Sequence, residues 1–164
     1  MAGKEGMGAP GRYRVVRLLG HGAFGRAEHV VEVSTGAGYA LKTSSITSQS
    51  LRASALREVS LLRRLVHPNV VTIHGEWEHH TNELCVLLEL CDGSLQDMIS
   101  AGKAEGRLYA EPYLLHLFAQ ICAALGYVHA NGVMHRDIKA ANILYTASPQ
   151  GVGGGWWSSW RTLG

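Results

Sequence analysis

Three polar residues in the segment HRDIKAANIL could carry out one reaction together. Asp137, Lys139 and Asn142 lie within six residues, between apolar stretches. In phosphoryl transfer, a carboxylate accepts the proton of the attacking hydroxyl, a cation stands beside the migrating group and an amide oxygen binds the metal. The alternatives are a polar turn with a chance charge pair, or a metal site begun by His135 and Asp137. Because no Cys or His at ligand spacing completes such a site, zinc is not expected and phosphoryl transfer is favoured.

A glycine pattern near the start of the chain could contact phosphate groups. Gly20, Gly22 and Gly25 follow the spacing G-x-G-x-x-G, which also occurs in dinucleotide folds and in plain tight bends. A dinucleotide site needs a helix to begin within the glycine run, whereas the residues that follow, RAEHVVEV, resemble a strand. The context therefore favours a strand–loop–strand flap over phosphates, with an ordinary hairpin as the alternative.

Two charged residues farther along fit the same chemistry. Lys42 lies on a predicted strand, and Glu58 lies inside the next predicted helix, at the edge of its apolar stripe. Each residue alone would most simply be a solvated surface charge. A lysine that holds phosphates needs a counter-charge to fix its flexible stem, and Glu58 could supply it. The two residues are therefore predicted to form an ion pair.

The elements that must position these residues can be read from hydrophobic periodicity. Five strands are predicted, at 13–19, 26–33, 38–43, 70–77 and 83–90, with one helix inserted between the third and the fourth. That helix has Ser48 or Ser50 as its N-cap and carries an apolar stripe formed by Ala55, Val59, Leu62 and Val66. A second long helix over 111–130 ends at Asn-Gly and is predicted to bury one face, formed by Leu114, Leu117, Phe118, Ile121, Leu125 and Val128. The fold class is therefore α+β.

Composition restricts the classes of partner and compartment. The chain has 164 residues, 46% of them hydrophobic and 17% charged, and its net charge of +2 gives no reason to expect a nucleic-acid partner. Cys85, Cys91 and Cys122 show no paired spacing, which indicates a reducing compartment. No signal peptide is recognised and no apolar stretch is judged long enough to cross a bilayer. We therefore expect a cytoplasmic or nuclear protein without a membrane partner.

Residues 13–144 resemble the eukaryotic protein kinases in the order of their motifs. These motifs are LGHGAFG, YALK, REVSLLRRLVHPNVV, LLELCDGSL and HRDIKAANIL. Lys139, two places after Asp137, is similar to the serine/threonine form of the catalytic loop, and ELCDG and HPNVV are similar to the NIMA-related kinases. The resemblance implies ATP and Mg²⁺ as cofactors and a protein substrate that carries Ser or Thr.

The resemblance also implies roles for individual residues. Asp137 would be the catalytic base, and Lys139 would be the cation beside the migrating phosphoryl group. Lys42 and Glu58 would form the ion pair, and Asn142 would bind magnesium. Leu88 would be the gatekeeper, followed by a hinge from Glu89 to Cys91. Adenine would lie between Leu19, Ala40 and Leu144. The full set of nucleotide contacts, with those of the glycine flap and the hinge, would be Leu19, Gly20, Gly22, Gly25, Ala27, Ala40, Lys42, Glu89, Cys91 and Leu144. Ala27 stands where the family usually has Val, and this is expected to weaken nucleotide binding modestly.

The resemblance implies a domain plan and also a point where it ends. A disordered N-terminus is expected over 1–12, a kinase small lobe and hinge over 13–91, and the start of a helical large lobe over 92–146. Residues 147–164 form a Gly- and Trp-rich tail that is unlike the family, and the sequence contains no Asp-Phe-Gly segment. We therefore expect the large lobe to be incomplete in this chain.

Three hypotheses follow. The chain could be part of a serine/threonine kinase catalytic domain. It could be a nucleotide-binding or partner-sequestering form without catalysis, with a possible regulatory protein partner. It could also be a fragment that does not fold.

Overall fold

The computed structural model describes residues 11–22, 25–79 and 82–146, together with the strand at 157–160. The chain divides into two compact units. The first comprises residues 1–63 and 72–90, and the second comprises residues 64–71 and 91–164. The predicted N-terminal region 1–12 and tail 147–164 therefore lie mostly outside the described residues.

The first unit contains a five-stranded antiparallel sheet and one helix, as the sequence predicts. The strands are β1 (Tyr13–Gly22), β2 (Gly25–Glu32), β3 (Gly38–Ser45), β4 (Ile73–His79) and β5 (Glu83–Glu89). They are ordered β1-β2-β3-β5-β4, so β1 and β4 form the two edges. β5 is buried on both faces because it lies inside the sheet and its residues are nearly all apolar.

The helix of the first unit, α1 (Gln49–Arg63), lies between β3 and β4 in the chain. Of the two expected N-caps, Ser48 is the one used, since its Oγ accepts the Leu51 N–H at 3.2 Å. The predicted apolar stripe is only partly buried. Val59 is buried, whereas Val66 lies beyond the last helical residue and is 82% exposed.

The second unit begins with β6 (Gly93–Ser94), α2 (Leu95–Ala104) and α3 (Glu111–Ala130). Ser94 caps α2 through a capping box in which its Oγ accepts the Asp97 N–H and Asp97 accepts the Ser94 N–H. A short 3₁₀ turn at Ala140–Asn142 leads into β7 (Ile143–Thr146), which pairs with β6 and with β8 (Trp157–Trp160). The tail therefore includes a strand beside β7.

The buried face of α3 agrees with the predicted one only in part. Leu117, Ile121, Ala124 and Val128 are buried, at a spacing of about one helical repeat. Leu114 and Phe118, which the sequence assigned to the core, are 45% and 62% exposed. Apolar residues occupy most of the circumference of α3, so periodicity alone did not determine which side faces the core.

The expectation that no stretch is long enough to cross a bilayer is wrong for α3. Its 20 residues are long and apolar enough by length and composition, and 17% of the tested window is buried in the structure. Ala and Cys raise the mean hydropathy of α3 in addition to its large apolar residues. One such helix is weak support for a membrane span, because core helices of soluble proteins pass the same test.

Candidate active site

The first unit carries the glycine pattern and the predicted ion pair. Gly20 lies opposite Ala27, and Ala27 lies opposite Lys42, so the three residues form a row across β1, β2 and β3. Lys42 Nζ lies 3.4 Å from Glu58 Oε1, and the two side chains are 20% and 32% exposed. The contact is long for a charged hydrogen bond. The structure thus brings Lys42 and Glu58 together, although 16 residues separate them.

The glycines of the pattern differ in how strictly they are required. A Cβ on Gly25 would lie 1.9 Å from the Thr43 carbonyl oxygen, and the φ of Gly25 is +153°. A Cβ on Gly20 would meet no atom within 4 Å. Gly25 is therefore needed for the close pairing of β2 with β3, while Gly20 leaves open space beside Ala27. The residues between Gly22 and Gly25 lie outside the described part of the chain.

The predicted adenine and hinge residues of the first unit lie on β1, β3 and β5. Ala40 is directly opposite Leu88, and both are buried. Glu89 closes β5. Its N–H donates to the Thr72 carbonyl at 3.0 Å, and its carboxylate accepts the Thr72 N–H at 2.9 Å. These contacts fix the end of β5, where the chain leaves the first unit. Leu19 is half-buried on β1.

The second unit holds the catalytic-loop residues in one hydrogen-bonded cluster. Lys139 Nζ donates to Asp137 Oδ2 at 2.8 Å, and Asn142 Nδ2 donates to the same oxygen at 2.8 Å and to the Asp137 carbonyl at 2.9 Å. Asn142 is buried, and its N–H donates to the Lys139 carbonyl at 2.9 Å. Both side-chain bonds to the carboxylate end on Oδ2, so Oδ1 has no recorded hydrogen bond within the described residues.

The charge state of this cluster follows from these contacts. The hydrogen bond from Lys139 is the largest cause that lowers the pKa of Asp137, and the bond from Asn142 is the next. Burial acts in the opposite direction. Asp137 is therefore ionised at neutral pH and can accept a proton from a bound hydroxyl.

His135 and Arg136 directly precede Asp137 in the catalytic loop; the sequence suggested His135 only as part of an alternative metal site and gave no role to Arg136. His135 is buried, and its Nδ1 accepts the Asp137 N–H at 3.3 Å. Arg136 has a φ of +62°, a region that non-glycine residues rarely adopt. The strained backbone at Arg136 turns the chain so that Asp137 faces Lys139 and Asn142. The signal that the sequence offered for His135 was a histidine two residues before the predicted base. The sequence offered no signal for the positive φ of Arg136.

The remaining predicted residues of the second unit, Cys91 and Leu144, precede and follow this loop in the chain. Leu144 lies on β7 and lines a small apolar cavity that is completed by Leu95, Met98, Tyr113, Leu117, Ile143 and Tyr145. Cys91 is half-buried, and Cys85, Cys91 and Cys122 form no disulfide bond within the described residues. Within the described residues no group of three His, Cys, Asp or Glu side chains could hold a metal ion.

Oxygen donors nevertheless suit magnesium at the catalytic loop. Magnesium favours carboxylate and amide oxygens, and it commonly takes its other ligands from substrate phosphates and water. Asn142 turns its amide nitrogen toward Asp137, which leaves its amide oxygen as the atom able to bind a cation. The residues present therefore fit one part of a magnesium–nucleotide site rather than a closed metal cage.

Comparison with known proteins gives consistent matches. The protein kinase domain family model matches residues 13–152, beyond the point near 146 where the sequence analysis ended the resemblance. Mouse serine/threonine-protein kinase Nek3 is 34% identical over 135 residues, and mouse serine/threonine-protein kinase Nek1 is 36% identical over 138 residues. Each alignment covers 82% of this chain, but only 26% of Nek3 and 11% of Nek1. Rice serine/threonine-protein kinase Nek6 is 34% identical over 138 residues, which cover 82% of this chain and 26% of that protein. The chain thus spans about a quarter or less of these relatives.

Proposed function

The chain belongs to the protein kinase family, and we propose that it acts as part of a serine/threonine kinase that transfers the γ-phosphoryl group of ATP to protein hydroxyls. One observation carries the proposal: Asp137 Oδ2 accepts hydrogen bonds from both Lys139 and Asn142 at 2.8 Å. This arrangement places a base, a cation and an amide oxygen in one loop. The similarity to the NIMA-related relatives supports the serine/threonine class.

The proposed reaction assigns each of these groups one task. Asp137 orients the substrate hydroxyl and accepts its proton as the hydroxyl oxygen bonds to the γ-phosphorus. The bond from the γ-phosphorus to the bridging oxygen breaks, and ADP leaves with the electron pair. Lys139 balances the charge of the migrating phosphoryl group. Lys42, which is paired with Glu58, binds the other phosphates of the nucleotide. Asn142 would hold magnesium together with phosphate oxygens, and the ion would supply charge neutralisation at the phosphates.

The direct test is phosphate transfer by the chain itself. The 164-residue chain is incubated with radiolabelled ATP, MgCl₂ and dephosphorylated casein, beside the Asp137→Asn variant. Incorporation that depends on magnesium and on Asp137 supports the proposal. Equal incorporation by the two proteins would refute the role of Asp137.

A second candidate for this chain is nucleotide binding without transfer. Its support is that the sequence contains no Asp-Phe-Gly segment, which in the family supplies another magnesium ligand. This candidate predicts that ATP raises the melting temperature of the chain while casein stays unlabelled. Magnesium-dependent labelling of casein would exclude it.

The cellular context is also a proposal. Three cysteines that form no disulfide bond within the described residues support a reducing compartment, and we propose the cytoplasm or the nucleus. A regulatory protein partner is supported by the exposed apolar side chains of Leu114, Leu115 and Phe118 on α3.

A further inference from the structure

Arg26 is the first residue after Gly25, and its side chain joins two carboxylates. Its Nε lies 3.2 Å from Glu28 Oε2, and its Nη1 lies 3.0 Å from Glu83 Oε1. The side chains of Arg26 and Glu83 are 46% and 28% exposed, so the pair is only partly screened by solvent. The hydrogen bond to Glu83 is the largest cause of the raised pKa of Arg26.

The contact between Arg26 and Glu83 crosses a strand. Arg26 is opposite Thr43 on β3, and β3 separates β2 from β5, where Glu83 is the first residue. The backbone ladder of β2 reaches only β1 and β3, and β1 is the sheet edge. The ion pair therefore connects the start of β2 directly to an interior strand, at the end of the sheet where the glycine pattern lies.

Arg26 itself faces away from the predicted nucleotide side. Successive residues of a strand point to opposite faces, and the next residue, Ala27, is on the face of Lys42. Arg26 therefore acts on the nucleotide only through the backbone. Its neighbour Gly25 lies so close to the Thr43 carbonyl that no Cβ is tolerated, so the start of β2 has a closely defined position against β3.

We propose that Arg26 is a positioning residue, which through Glu83 holds the beginning of β2 in the place that nucleotide binding requires. The inference rests on the proposed nucleotide site and adds a determinant of its affinity. Loss of the pair leaves the start of β2 held by the backbone ladder alone. Nucleotide affinity then falls because part of the binding energy is spent on ordering β2.

The first test measures affinity with a fluorescent ATP analogue, N-methylanthraniloyl-ATP, on the full chain. Arg26→Met and Glu83→Gln are each expected to weaken binding about two- to fivefold, the range of a partly exposed ion pair. The double variant should bind as weakly as either single variant, since both remove the same contact. Arg14→Met on β1 is the matched control, because no ion pair is recorded for Arg14 in the described part of the chain. Additive losses, or a loss in the control alone, would refute the proposal.

The second test does not require nucleotide. Amide hydrogen exchange at Gly25, Arg26 and Ala27 should be faster in Arg26→Met than in the parent chain, and Arg26→Lys should restore part of the protection. Unchanged exchange would mean that the pair restrains nothing, whatever the affinities are. Faster exchange in Arg26→Met, together with a parent chain that binds no nucleotide, would refute the nucleotide site while leaving the restraint in place. The two failures are thus distinguishable.

Discussion

Tyr13 and Trp77 stack face to face across the two opposite edges of the five-stranded sheet. Their ring centroids are 5.9 Å apart and their planes are inclined by 7°. Tyr13 lies on β1 and Trp77 on β4, the outermost strands, so the sheet curls until its edges meet. Tyr39 adds an edge-on contact to Tyr13 at 6.2 Å, and the guanidinium of Arg12 lies over the Tyr13 ring at 5.5 Å. This aromatic contact therefore links the two edge strands of the first unit.

Removing the stacked ring should destabilise the first unit. We expect Tyr13→Leu to lower the free energy of unfolding by about 1 kcal/mol, the size of an aromatic pair beyond its buried area. Tyr13→Phe keeps the stack and should remain close to the parent protein. Urea denaturation followed by tryptophan fluorescence measures both variants. A loss in Tyr13→Phe as large as in Tyr13→Leu would show that the hydroxyl, rather than the stack, provides the stability.

The two glycines at the base of the flap should respond differently to substitution. Gly25→Ala places a Cβ 1.9 Å from the Thr43 carbonyl, so the strand must shift, and we expect a loss of about 2–4 kcal/mol. Gly20→Ala meets no atom within 4 Å and should change stability by less than about 1 kcal/mol. Thermal unfolding of both variants provides the comparison. Equal losses at the two positions would contradict the close approach of β2 and β3.

Lys42 should be essential for nucleotide-dependent chemistry without being essential for folding. Lys42→Met removes the cation near Glu58 and is expected to reduce phosphate transfer by about 10²–10³-fold, as the loss of one oriented electrostatic group does. Lys103→Met, at the exposed end of α2, is the control and should retain activity. Circular dichroism verifies that both variants fold. Unchanged transfer in Lys42→Met would remove Lys42 from the site.

The titration of Asp137 should depend on Lys139. The pKa of Asp137 is lowered chiefly by the Lys139 hydrogen bond, so Lys139→Met should raise it toward the usual aspartate value. Carboxyl-detected NMR titration measures the shift directly. Because the folded-state pKa is the lower one, this contribution to stability is complete above the unfolded pKa and disappears as the pH falls through the folded pKa. An identical titration in the two proteins would contradict the role of the Lys139 contact.

Tyr127 should hold the segment 64–71 within the second unit. Its hydroxyl oxygen accepts the Val66 N–H at 3.0 Å, and its ring stacks on His67 at 5.0 Å. Tyr127→Phe removes only the hydrogen bond and should cost about 1 kcal/mol, with faster amide exchange at Val66. Tyr127→Ala removes both contacts and should cost more. Unchanged exchange at Val66 in Tyr127→Phe would show that the hydrogen bond does not protect the segment.

Sequence alone determined the order of the elements and the composition of the catalytic loop. Five strands and the helix that carries Glu58 were predicted from local properties of the chain. These are the alternation of β-branched residues, the glycines at turns and the helical spacing of apolar residues. The spacing of Asp137, Lys139 and Asn142 is also local, because one short loop holds all three. These features were therefore available without any knowledge of how distant segments meet.

Tertiary structure decided what depends on contacts between distant segments. The buried side of α3 contains Ala124 instead of Phe118, because apolar residues surround the helix and only its neighbours select a face. The bridge from Arg26 to Glu83 joins residues 57 positions apart and follows from the strand order, which places β5 beside β3. The stack of Tyr13 on Trp77 requires the curl of the whole sheet. Each of these contacts is set by how strands and helices pack in three dimensions, and a linear pattern does not encode that packing locally.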